Sequence, residues 1–414
     1  MKPEISRKAV KYIRNISPVR EIMSYADPAY IRNLGLDPNQ VISFAGGWVN
    51  HKAPKELQSA YKSIVENEDT FHISGGYPPT LGSNECKDIL CQYEAGMYEV
   101  KNLHVDNIAI GNSSTQLTYN LFQTLLDPGD SILLLDPSYC NIPIQVVMAM
   151  EKINILRFPV LDPIKWEYIA DERTIEFKKF IIENKPKMIL LVSPDNPTSQ
   201  VLSYKFISSA LEAAQEIGSF LVIDFAYKEI VFGQNYPAYF SWKPTENFLS
   251  IHSNSKWSRS LGRRLGWIEG PSEVIAAMES FQNASMLCPD MLHQMAIVEY
   301  FNLSLSNKSF FQYISEMVKL YENAALFVEK TIKEHLPFHF LKSKGGLYIC
   351  MNVGEDGASF VNKVLKNTGV LFVPGWGFGR TMHNAVRISY GPLVRNHEKI
   401  EEGIKRVAKL IKNQ

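Results

Sequence analysis

A chain of 414 residues is long for a single core, so two domains are expected. Its 43 basic and 43 acidic side chains cancel, which argues against a nucleic-acid tract or a membrane-attracting surface, although a local basic pocket stays open. Apolar residues at 45% and charged residues at 21% match an ordinary soluble globular protein, and five scattered cysteines without a Cys-x-x-Cys pair favour neither a disulfide framework nor a zinc site. No metal, nucleic-acid or membrane partner is expected, and the reduced cytoplasm is the location that fits. Met1 to Tyr12 lacks the apolar core of a signal peptide, and no apolar run reaches membrane-spanning length.

Residues 1–45 carry helical spacing at Val19, Ile22, Met23 and Ala26, ending at Asp27-Pro28. The apolar run from Val41 stops at Gly46-Gly47-Trp48, which is either a plain turn or a backbone that must pass close to a ligand. Gly75-Gly76-Tyr77-Pro78-Pro79-Thr80-Leu81-Gly82 is a rigid loop ahead of a helix predicted over 86–99. Set among these prolines and glycines, Tyr77 is expected to be exposed, and exposed loop aromatics lean towards contact roles.

From 107 to about 270 the pattern is α/β. Strand-like runs at 108–110, 132–135, 153–158, 188–192, 220–223 and 248–251 alternate with amphipathic helical stretches. Near-continuous apolar strands imply a largely parallel sheet covered on both faces, and ligands of such sheets sit at the carboxyl ends of the strands. After Ile110, the stretch Gly111-Asn112-Ser113-Ser114-Thr115-Gln116 opens a helix. Its amides and hydroxyls suit an anion, and simple capping is the alternative. Later strand ends supply Tyr139 in Asp-Pro-Ser-Tyr, Asn196 in a proline-stiffened turn, and Asp224 ahead of Phe225-Ala226-Tyr227. A carboxylate closing an apolar strand needs a cation. For Asp224 that is either a structural partner or a protonated heteroaromatic nitrogen.

Past Ile251 comes His-Ser-Asn-Ser-Lys-Trp, which places Lys256 just beyond a buried strand, with Ser253, Ser255 and Arg264 nearby. Imine formation needs an amine that loses its proton, and partial burial near other cations lowers a lysine pKa. From about 302 the chain reads as a second, α+β domain. A long helix over 310–335 leads to a strand at 345–351, a helix around 360–366, a short strand at 370–373 and a strand at 385–390. The glycines from Gly375 to Gly379 lack the βαβ context of a dinucleotide fingerprint. Arg387, inside an apolar strand, wants a carboxylate, whether structural or from a ligand.

Taken in order, Ala-Gly-Gly, Tyr-Pro-Pro-Thr-x-Gly, Gly-Asn-Ser-Ser-Thr-Gln, Asp-Asn-Pro-Thr, Asp-Phe-Ala-Tyr, Ser-Asn-Ser-Lys with Arg-Leu-Gly, and Pro-Gly-x-x-Phe-Gly with Val-Arg-Ile-Ser resemble the pyridoxal-phosphate enzymes of fold type I, the aspartate aminotransferase-like class I/II family. The resemblance runs from about Ser17 to the C-terminus. It implies an α/β fold with a mostly parallel sheet in a large cofactor-binding domain, 46–301. A smaller α+β domain, 302–414, would be joined by the N-terminal segment 1–45. The implied activity is an aminotransferase acting between an L-amino acid and a 2-oxo acid, with Lys256 forming the internal aldimine and shuttling the proton at Cα.

The resemblance further implies that Asp224 keeps the pyridine nitrogen protonated, and that Asn196 and Tyr227 bond the ring's phenolic oxygen. Tyr139 would stack on the ring, and Arg387 would clamp the substrate carboxylate as a two-bond fork. Ser113, Ser114, Thr115, Ser253 and Arg264 would hold the phosphate together with Tyr77 of a neighbouring subunit, implying a homodimer with shared sites. A helix terminus alone offers roughly 0.3–1 kcal/mol, and a charge-assisted bond about 1.5–3 kcal/mol, so Arg264 is needed as well. Gly47 and Trp48 fall in the loop that lines the substrate pocket, where Trp48-Val49 departs from the family pattern. Ser199 and Phe225 stand where Gly and Glu are common, and no second arginine is placed for a distal carboxylate. Other outcomes of the same cofactor chemistry (decarboxylase, lyase, cyclase, oxidase) are the main rivals. A non-catalytic sensor of the kind fused to DNA-binding modules fits poorly with so short an N-terminal segment and no net charge.

Overall fold

The computed structural model of the chain describes residues 3–7, 9–10 and 24–413. Val19, Ile22 and Met23, expected in a first helix, lie outside them. Asp27-Pro28, expected to end that helix, follows the helical residues Ser24 and Tyr25 and also begins another helix: the Asp27 carboxylate accepts the Ala29 N–H at 2.6 Å and proline occupies the first turn of α1 (Pro28–Asn33). Both residue types suit a helix start. Strand β1 (Ile42–Ser43) follows, then α2 (Lys55–Glu66), α3 (Glu68–Ser74) and α4 (Asn84–Tyr98), the last matching the helix expected there.

The α/β stretch forms as read. It comprises β2 (Ile108–Gly111), α5 (Ser114–Leu125), β3 (Ser131–Asp136), α6 (Ile142–Ala149) and β4 (Asn154–Pro159). A small hairpin follows, β5 (Leu161–Asp162) with β6 (Glu167–Tyr168). Then come α7 (Thr174–Asn184), β7 (Met188–Val192), α8 (Tyr204–Ile217), β8 (Phe220–Asp224), β9 (Phe248–Ser253) and β10 (Gly266–Glu269). The seven-stranded sheet has the order β2-β10-β9-β8-β7-β3-β4. Strands β4, β3, β7, β8 and β9 run parallel, while β10 is antiparallel to both β9 and β2. Alternate residues enter separate cores: Leu133, Ile189, Leu221 and Ile223 one, Ile132, Leu134, Leu190 and Val222 the other. Two covered faces are why these strands read as unbroken apolar runs rather than alternating ones.

After α9 (Ser272–Met286), helix α10 (Met291–Ser306) runs across 301/302, where the second domain is expected to begin. A helix break follows at Asn307 and Lys308, where Lys308 adopts φ +61° before the long α11 (Ser309–His335). Three antiparallel strands form a second sheet: β11 (Tyr348–Asn352), β13 (Val373–Pro374) and β14 (Ala385–Ser389), with β14 central. Between them lie α12 (Gly357–Thr368) and β12 (Val370–Leu371); β12 pairs in parallel with β1, tying the N-terminal segment to this part of the chain. Helix α13 (His397–Lys412) ends it. No described helix is long and apolar enough to cross a membrane.

Candidate active site

A cavity of about 520 Å³ opens where β7, β8 and β9 end against the β14 side. Of the residues expected at a site, Gly47, Trp48, Ser114, Thr115, Tyr139, Asn196, Asp224, Tyr227, Ser253, Lys256, Arg264 and Arg387 all line it. Two do not. Ser113 sits one residue back as the N-cap of α5, its hydroxyl accepting the Gln116 N–H, and Tyr77 is 86% exposed elsewhere on the surface.

Lys256 lies three residues past β9 and is half-buried, its amine donating to the Gly47 carbonyl at 2.7 Å and sitting 5.4 Å above the Tyr227 ring. Burial, then Arg387 and Arg264, bring its pKa down to about 8, while Asp224 opposes them. The loop carrying it is stitched to the 46–51 loop. Arg259 donates to the Val49 carbonyl, and His51 Nε2 lies 2.9 Å from the Trp257 carbonyl, which Tyr313 also bonds at 2.8 Å. A carbonyl only accepts, so His51 carries its proton on Nε2, and Nδ1 takes the Tyr321 hydroxyl proton at 2.8 Å. Burial drops the His51 pKa to about 4, which keeps the ring neutral and this arrangement intact.

Asp224 closes β8 and is buried. Its carboxylate accepts the Ala226 N–H at 2.9 Å, and among the described residues no lysine, arginine or histidine pairs with it within 4.0 Å. Burial therefore pushes its pKa up to about 6, held back by the Ala226 bond and by Lys256. Among the described residues, the structural cation open to it in the sequence is missing.

Arg387 is buried in β14 and is likewise without a described carboxylate partner. Its Nη1 donates to Asn196 Oδ1 at 2.9 Å and its Nη2 to the Ala45 carbonyl at 2.8 Å, while Nε is buried and unpaired. Because Asn196 spends its oxygen on Arg387, its amide nitrogen is the donor left for the cavity. The guanidinium lies between two rings, 4.3 Å from the Tyr348 centroid and 5.1 Å from that of Phe378. The Phe378 carbonyl accepts the Ser138 N–H at 3.0 Å and Arg157 Nη1 at 3.1 Å, while the Asp136 carboxylate holds the turn that follows, accepting the Arg380 N–H at 3.0 Å and the Thr381 hydroxyl at 2.7 Å.

On the other side Ser114 and Thr115, whose amides precede any carbonyl of their own helix, line the cavity at the start of α5. Strand β10 passes beneath so closely that a Cβ on Gly266 would come 2.6 Å from the Ser114 nitrogen. Ser253 Oγ accepts the Ser255 N–H at 3.2 Å, and Arg264, exposed at the cavity mouth, donates to the Leu261 carbonyl at 2.5 Å. An anion cradle with cationic edge results. Tyr348, Leu261, Cys140 and Ser43 also line the cavity and were not singled out in the sequence, whereas Ala45 and Phe378 fall in the Ala-Gly-Gly and Pro-Gly-x-x-Phe-Gly stretches and Ala26 in the helical spacing read there. Tyr348 and Arg387 share one face of the β11–β14 pair, since Arg387 stands opposite Cys350, two residues on from Tyr348. Only the register reveals that.

The family model for aminotransferase class I and II matches residues 40–407. An aspartate aminotransferase of Pyrococcus horikoshii is 26% identical over 381 residues, covering 90% of this chain and 91% of that protein. The (5-formylfuran-3-yl)methyl phosphate transaminase of Methanocaldococcus jannaschii is 25% identical, covering 92% and 95%. Among solved structures, the aspartate aminotransferase from Thermus thermophilus with maleate superposes with a TM-score of 0.83 at 21% identity, covering 99% of this chain and 100% of that one. The fold is thus the type I fold of aspartate aminotransferase. The chain belongs to the aminotransferase class I and II family.

Proposed function

We propose that the cavity takes pyridoxal 5′-phosphate on Lys256 and that the protein moves an amino group between an L-amino acid and a 2-oxo acid. The observation that carries this reading is one enclosed space holding four unmet demands. These are a lysine whose amine is eased towards neutrality, a buried carboxylate and a buried guanidinium without ion-pair partners among the described residues, and helix-start amides at the cavity that also holds Arg264. Pyridoxal phosphate with a bound amino acid answers each of them: an aldehyde, a ring nitrogen, an α-carboxylate and a phosphate. When bound, the cofactor supplies an aldehyde carbon and a ring that accepts electrons from Cα.

The rest is done by the chain. Lys256, about one part in ten neutral at pH 7 given a pKa of about 8, binds the aldehyde and then takes and returns the proton at substrate Cα. Asp224 holds a proton on the ring nitrogen, and that cation in turn stabilises its carboxylate. Tyr227 and the Asn196 amide donate to the ring's phenolic oxygen, and Tyr139 covers the ring face. Arg387 orients the substrate by its carboxylate; Gly47 and Trp48 border the side-chain end. Ser113 fixes the start of α5, and Ser114, Thr115, Ser253 and Arg264 hold the phosphate.

Tyr77 completes that cradle from a second copy of the chain, since it is 86% exposed and absent from its own cavity. We place the protein in the reducing cytoplasm because all five cysteines are free. The test of activity is a single half-reaction. Protein loaded with pyridoxal phosphate is mixed with acidic, aromatic and neutral amino acids in turn, and the long-wavelength absorbance and 2-oxo acid are followed. At least one donor is expected to bleach the band with one equivalent of 2-oxo acid. A full panel that yields none rules transamination out.

A further inference from the structure

Tyr348 opens β11, is buried, and has no part in the roles assigned above. Its hydroxyl lies 2.5 Å from that of Tyr227, with the rings edge-on at 79° and 5.8 Å apart. The Arg387 guanidinium rests 4.3 Å from the same ring. One side chain thus touches both the group that would face the cofactor's phenolic oxygen and the group that would face the substrate carboxylate.

Its backbone is pinned from two sides. The Tyr348 N–H donates to Ser199 Oγ at 3.0 Å, and the Ser343 hydroxyl donates to the Tyr348 carbonyl at 2.6 Å. Ser199 is fully buried at φ +55°, a left-handed backbone that favours glycine. A glycine there would offer no acceptor to Tyr348. A strained residue kept beside a site points towards a role in that site.

Chemistry fixes the polarity of the phenol pair. The groups facing the Tyr227 hydroxyl and ring are Tyr348, Tyr139, Arg387 and Lys256, and burial holds both Tyr227 and Tyr348 in the neutral form. Each phenol therefore has one proton. If Tyr227 gives its own to an acceptor in the cavity, the Tyr348–Tyr227 bond can be made only by the Tyr348 proton.

We propose that Tyr348 is a positioning residue, donating to the Tyr227 oxygen so that Tyr227 donates into the cavity, and backing the Arg387 guanidinium with its ring. Ser199 is the anchor that sets Tyr348 in place. The inference rests on the reading of the cavity as a pyridoxal-phosphate site, and linked hydrogen bonds of this kind strengthen one another.

The test uses the full-length protein loaded with pyridoxal phosphate. Tyr348→Phe keeps the ring and removes the hydroxyl. A donor to the phenolic oxygen favours deprotonation of the lysine-linked nitrogen, so weaker donation by Tyr227 moves the pH midpoint of the long-wavelength band upward. The expected rise is about half a unit to one unit, the worth of one hydrogen bond, with donor KM within about twofold of wild type. Tyr227→Phe is expected to raise the midpoint further, and Tyr348→Phe in that background to add nothing. Tyr348→Leu also removes the ring and is expected to raise donor KM by about fivefold. An unmoved midpoint in Tyr348→Phe, or an additive shift in the double variant, overturns the relay; an unchanged KM in Tyr348→Leu overturns the support of Arg387. A wild-type protein that forms no band overturns the cofactor reading and this inference together, so the two failures are told apart.

Discussion

Burying a carboxylate with no cation beside it costs several kcal/mol, and Asp224 is buried without an ion-pair partner among the described residues. With its pKa raised to about 6 from 3.8, Asp224 favours folding most below pH 3.8, and that contribution is lost as pH rises through 6. A cationic ring nitrogen needs the ionised form, so cofactor affinity is expected to fall as pH drops through 6. Asp224→Asn keeps an acceptor for the Ala226 N–H while removing the buried charge. It is expected to stabilise the empty protein at pH 8 by ~3 kcal/mol and yet cut turnover by a factor of about a hundred or more, with the cofactor Kd raised less than about tenfold. Thermal melts of the empty protein and steady-state rates check this. Turnover and cofactor retention falling by the same factor show that Asp224 is only structural.

At the scale of elements, the sequence was most readable where an apolar strand stops at a polar residue. Strand ends at Ile110, Leu135, Val192, Ile223 and Ile251 were each visible, and each delivered a residue to the cavity, because a parallel sheet aims those ends the same way. Strand β10 was not predicted: four residues long and antiparallel, it carries no pattern beyond Gly266-Trp267-Ile268-Glu269. Gly266 shows its importance only once the Ser114 nitrogen is seen 2.6 Å from where a Cβ would stand. Tyr348 was hidden for a related reason: strand register places it, and register leaves no local signature. Phe378 stood in a motif, but its position against Arg387 was not legible there. The same holds for the buried ion pair beneath the site, Lys228 with Glu94 at 2.6 Å and His252 3.3 Å from the same carboxylate. Ser199 was visible as a departure from a glycine, but its hydrogen bond to Tyr348 was not.

At the scale of the molecule, Tyr77 is the residue whose place a single copy leaves unexplained. It is 86% exposed on the loop that follows α3, and exposed loop aromatics lean towards contact roles. Light scattering of the purified protein is expected to give twice the 47.0 kDa chain mass, with five titratable thiols per chain in the denatured sample. A monomer, or a missing thiol pair, contradicts the proposed assembly or location. All the roles assigned here depend on one covalent attachment. Protein incubated with pyridoxal phosphate, reduced with borohydride and mapped by peptide mass spectrometry is expected to carry one phosphopyridoxyl group, on the peptide containing Lys256, and to carry none in Lys256→Ala. Label on another lysine such as Lys228, or no label at all, contradicts it.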